Sequence, residues 1–92
     1  MAITTPEGKA AFNAAVAMVL MLRRAELGLT IFDVEAASGI KYQAVQSYLS
    51  GDRAILLGNF IALSQALQTT PSDVLAAAFA RLDQFPATVS GA

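Results

Sequence analysis

Apolar residues recur along this chain at intervals of three and four, separated by short polar punctuation, and nowhere alternate as a half-buried strand would. The pattern predicts an all-α protein of five helices. Thr5-Pro6-Glu7 reads as an N-cap, a first-turn proline and an acid set against the helix dipole, opening a first helix that runs to Leu27 and stops at Gly28. Its expected core face is Phe12, Ala15, Val19 and Leu22. Met18, Leu20 and Met21 fill positions that a single buried stripe leaves polar, so this helix needs cover on more than one side.

The stretch from Leu29 to Gly51 holds two short helical patterns broken by Ser38-Gly39-Ile40. Thr30 caps the first, which turns Ile31, Val34 and Ala37 to one side. Gly39 sits where a tight corner between crossing helices requires positive φ, with Ile40 as the apolar plug beneath it. The second pattern, Lys41 to Ser50, puts Ala44, Val45, Tyr48 and Leu49 inward and leaves Lys41, Tyr42, Gln43, Gln46, Ser47 and Ser50 outward. Such a face is either simply solvated or made to exchange hydrogen bonds with base edges in a major groove. The turn at its fixed distance favours the second reading.

Gly51 to Ala54 reads as a loop, followed by a fourth helix from Leu57 to Leu67 whose apolar positions are Phe60, Ile61, Leu63 and Leu67. Gly58 and Asn59 in its first turn suit either ordinary capping or a phosphate contact. Thr70-Pro71-Ser72-Asp73 starts a fifth helix running to Phe85, with Val74, Leu75, Ala78, Phe79, Leu82 and Phe85 as its stripe. Pro86 ends it, and the residues beyond read as an unstructured tail.

Ninety-two residues suit one domain with a small core. The absence of Cys and His removes disulfides, thiolate and imidazole metal ligation and the commonest general base. The carboxylates are scattered, without a paired acid and base, a nucleophile elbow or a phosphate-cradling glycine loop, so an enzyme is not expected and no cofactor or metal is called for. Six basic against seven acidic residues give a net charge of −1, unfavourable for phosphate neutralisation as a whole. Position matters more: Lys41 and Arg53 flank the outward helix, and Arg23 and Arg24 precede the turn motif. The longest apolar run, Ala14 to Leu22, falls far short of the roughly 20 residues that span a bilayer. No secretory leader is recognisable, and a cytoplasmic location is expected.

The ordered segments LRRAELGLT, ASGIKYQAVQSYLSG and NFIALSQALQTTPSDVL resemble the lambda-repressor-like, Cro/C1-type helix-turn-helix family. The resemblance implies a five-helix bundle with a core over residues 22–75, a helix 5 extension over 76–85 and a flexible tail over 86–92, all in one domain. It places Lys41, Tyr42, Gln43, Gln46 and Ser47 at positions of base contact, and Thr30, Ser50, Arg53 and Asn59 near the phosphate backbone. Two positions depart from the family pattern. Ile31 stands where a glutamine often braces the recognition helix, and Glu35 stands where alanine lets the two helices cross closely.

The implied function is a sequence-specific regulator of the phage Cro or repressor kind, reading double-stranded DNA as a homodimer. Candidate dimer contacts are the surplus apolar residues Met18, Leu20, Met21, Phe79, Leu82 and Phe85. A different class, an antitoxin-like or other protein-interaction module that keeps the fold and engages a protein partner, draws on the acidic balance, Ile31 and the apolar first helix.

Overall fold

The structure is a computed structural model that describes residues 4–83. It contains α1 (Pro6–Leu27), α2 (Ile31–Ser38), α3 (Tyr42–Ser50), α4 (Leu57–Ala66) and α5 (Pro71–Asp83), with no strand among the described residues. Thr5 Oγ1 accepts the Gly8 N–H at 3.0 Å, and Gly28, at φ 70°, closes α1 in the left-handed conformation that its missing Cβ permits. Thr70 Oγ1 accepts the Asp73 N–H at 3.1 Å to start α5. Between them, α4 ends through Gln68 at φ 59°. Arg23 secures that end from α1, donating from Nε to the Leu67 carbonyl and from Nη2 to the Gln68 carbonyl, both at 2.9 Å.

The core is one cluster drawn from all five helices, with Leu20, Val34, Val45, Leu63, Leu67 and Ala78 wholly excluded from solvent. Within α1 the buried side chains are Ala15, Val16, Ala17 and Leu20, with Gly8 also buried near its start, whereas the expected stripe is Phe12, Ala15, Val19 and Leu22. Phe12 and Val19 are half-buried and Leu22 is 43% exposed. The reason is geometric: α1 packs against both α3 and α5, so its buried arc centres on the residues that face the two together. Leu20, at 0% exposure, and Leu82 therefore serve the internal core and are withdrawn as dimer contacts.

Smaller corrections follow from the same packing. Ala37, expected inside, is exposed, and Ile61 is only partly covered at the surface of α4. Along α5, Val74, Ala78 and Leu82 are buried and Leu75 half-buried, while Phe79 stays 48% exposed with its ring 4.8 Å from that of Phe12 on α1. Phe85 and the tail lie outside the described residues. No helix among those residues is long and apolar enough to cross a membrane.

The rotated face of α1 can be checked by truncation. Leu20→Ala should cost about 2–5 kcal/mol of unfolding free energy by emptying a filled core site, while Leu22→Ala should stay within about 0.5 kcal/mol. Urea midpoints of the two variants that shifted equally would contradict this assignment of faces.

Candidate nucleic-acid interface

The interface is built on the corner between α2 and α3. Gly39 adopts φ 77° and donates its N–H to the Glu35 carbonyl at 2.9 Å, closing α2, while the Ile40 N–H reaches Ser38 Oγ at 3.1 Å. This local bonding turns Ile40 into the core beneath the corner. At the other end of α2, Thr30 Oγ1 accepts the Asp33 N–H at 3.1 Å and Asp33 Oδ2 accepts the Thr30 N–H at 2.8 Å, a reciprocal capping box. Hydrogen bonding from the Thr30 backbone, and secondarily its side chain, holds the Asp33 carboxyl below its usual value of 3.8.

Lys41 occupies the N-cap of α3 with an extended backbone but makes no side-chain cap. Glu35 supplies it instead: its Oε2 accepts the Tyr42 N–H at 3.1 Å. The crossing is therefore closed by a carboxylate set against the positive end of α3, which explains how this chain tolerates Glu35 where a small residue is usual. Phe32, on the first turn of α2, lies with its ring centroid 4.5 Å from that of Tyr42, tilted by 37°.

From this braced start, helical spacing gathers Tyr42, Gln43, Gln46, Ser47 and Ser50 into one outward arc with Lys41 at its head. Lys41, Gln43, Gln46 and Ser50 are exposed, and Tyr42 and Ser47 are half-buried. Ser50 Oγ donates to the Ser47 carbonyl at 3.1 Å, so its hydroxyl is partly engaged within the last turn. Beyond α3, the Arg53 guanidinium sits 5.1 Å above the ring of buried Tyr48. The Tyr48 hydroxyl in turn accepts from Asn59 Nδ2 at 2.8 Å, so Asn59 braces the support of Arg53 as well as standing at the first turn of α4.

Asn13 escaped the sequence reading. Its Nδ2 donates to the Arg53 carbonyl at 3.3 Å and its Oδ1 accepts the Ile55 N–H at 3.1 Å, latching the loop after α3 onto α1. The signal was a single polar side chain in the apolar stretch from Ala10 to Leu22. Arg23 and Arg24, in contrast, are committed within the fold: Arg23 to the end of α4, and Arg24 to the Leu29 carbonyl at 2.6 Å ahead of α2.

With this geometry, residues 20–74 match the sequence profile of a helix-turn-helix family of the Cro/C1 type. The chain belongs to that family. Its members are DNA-binding regulators. The matched segment runs from the second half of α1 to the first turn of α5 and includes the whole of the corner and its outward arc. No match was found among curated proteins or among solved structures.

Two caps yield predictions. Glu35→Ala frees the Tyr42 N–H and should lower stability by about 0.5–2 kcal/mol, whereas Glu35→Gln keeps an acceptor oxygen and should recover most of it. Equal melting temperatures for the two variants would remove Glu35 as the cap. For Asp33, the folded pKa lies below the unfolded one, so its contribution is present in full above the usual value of 3.8 and is lost as the pH falls below it. An Asp33→Asn variant should therefore show a flatter decline of stability in acid than the parent protein in pH-resolved denaturation.

Proposed function

We propose that this chain is a sequence-specific transcriptional regulator of the phage Cro or repressor kind, reading an operator through α3 as a homodimer. The observation that carries the reading is the outward arc of exposed Gln43 and Gln46 with half-buried Ser47, which starts at a helix end met from two sides by Glu35 and Phe32. A glutamine amide pairs bidentately with adenine in the major groove, and the hydroxyl of Ser47 reaches either donors or acceptors. Lys41 and Tyr42 join these at the leading end. Thr30, Ser50, Arg53 and Asn59 are assigned to the phosphate backbone, which sets register without reading sequence. Arg53 suits this role best, being exposed and propped on Tyr48.

Affinity argues for two copies. One arc of short polar side chains on a domain of net charge −1 falls short of the roughly 10⁻⁸ M binding of specific regulators. A two-fold pair would set the recognition helices about 34 Å apart and require an inverted repeat with half-sites about 10 base pairs between centres. Of the apolar candidates, Met18 and Phe79 remain exposed at 48% each, and Met21 is half-buried. Met18 belongs to an outer stripe of α1, with Ala10, Ala14, Leu22 and Ala25, that carries no charge. An uncharged ridge of this length is equally a surface for a protein partner, the observation favouring the interaction-module reading.

Selection from random duplex DNA followed by shift assays over a salt series tests the assignment. Gln43→Ala should relax site preference, narrowing the gap between selected and scrambled duplexes by about 1–3 kcal/mol, while Arg53→Ala should weaken both alike and reduce the salt slope by about one. Unchanged discrimination in Gln43→Ala would overturn the placement of reading on α3. In light scattering and footprinting, a monomer protecting one asymmetric half-site would overturn the dimer.

A further inference from the structure

Phe32 touches Tyr42, yet that contact does not account for how much of its ring stays open. It is 66% exposed on the first turn of α2, and its ring meets that of Tyr42, the first residue of α3, at 4.5 Å. An exposed phenyl ring contributes little to a core. Here it forms one apolar surface with a tyrosine at the leading end of the polar arc, beside Lys41 and Gln43.

We propose that the Phe32–Tyr42 pair reads a thymine through its C5-methyl group, making Phe32 a specificity-determining residue on α2. The inference rests on the DNA-reading function proposed for α3. In helix-turn-helix docking the N-terminal residues of the recognition helix meet base edges while the preceding helix crosses the backbone. A side chain of α2 that stacks on the first residue of α3 is thereby carried from the backbone side to the rim of the base edges. A phenyl ring gains nothing against a phosphate oxygen. The thymine methyl is the apolar group that bases present in the major groove, and apolar side chains recognise it by contact. Two arrangements on the page favour this occupant. The Tyr42 N–H is held by Glu35, so the start of α3 is fixed and offers its ring rather than its backbone. The neighbouring Gln43 amide suits an adenine, so ring and amide together would read a step containing an A·T pair.

The test uses the full chain and a duplex selected from a random pool, with each thymine replaced singly by deoxyuridine, which removes the methyl and keeps every hydrogen bond. Burial of one methyl corresponds to about fourfold in affinity. One thymine per half-site should show this loss with the parent protein, and Phe32→Ala should bind the thymine and uracil duplexes equally. Phe32→Leu, which keeps apolar bulk, should retain part of the difference and guards against misfolding of the alanine variant, with thermal melts confirming both. A selected duplex that tolerates every uracil, or a uracil penalty that persists in Phe32→Ala and Phe32→Leu unaltered, overturns the role of Phe32 while leaving α3 as the reader. A chain that selects no duplex at all overturns the DNA-reading function and this inference with it, and leaves the aromatic pair to a protein contact.

Discussion

Everything at the candidate interface depends on the angle between α2 and α3, and that angle is held by burial on either side of a left-handed glycine. Val34 before the corner and Val45 after it are both fully excluded from solvent, and Ile40 closes the space beneath Gly39. None of the three can be withdrawn without opening a void or turning an apolar side chain to water, each a matter of kcal/mol. The corner is thus a rigid part of the core that happens to lie at the surface, and the polar arc on α3 inherits its direction from it.

Beyond the local threonine caps of α1, α2 and α5, helix ends in this protein are held by side chains from other elements. Glu35 of α2 caps α3, Arg23 of α1 takes the last carbonyls around α4, and Asn13 of α1 holds the loop that carries Arg53. Each bond satisfies a backbone group that a helix terminus would otherwise leave open. Each also sets the position of a neighbouring element, so capping and tertiary arrangement are the same interactions. The consequence for electrostatics is that Arg23 and Arg24 are turned to carbonyls, while Lys41 and Arg53 stay exposed beside α3. A nearly neutral chain thereby keeps positive charge next to the surface assigned to DNA, where a phosphate contact has its effect.

The long first helix has a different economy. It is apolar nearly all round, yet only the arc facing α3 and α5 is buried, and the opposite arc of alanines with Met18 and Leu22 is left to solvent. Alanine makes this tolerable because each exposed methyl is small and favours the helix. That composition accounts for the high apolar content of the chain without requiring a larger core.

The sequence by itself determined the five helices, the corner and the threonine caps of α1, α2 and α5, because these rest on local rules: a threonine at a start, a glycine in positive φ at a stop, and apolar spacing of three and four. It also determined the family, since the ordered segments carry the likeness without the fold. What it left open were matters of direction. Leu20 and Leu22 are equally apolar in sequence, and only the placement of α1 against two helices at once sends one inward and the other out. Glu35 read as an awkward residue at a crossing until the fold brought its carboxylate to the Tyr42 N–H, seven residues on. Asn13 and Phe32 were passed over because their partners lie across the corner or on another element. A periodic pattern records that a residue has a face, while the neighbours that meet that face exist only once the helices have packed.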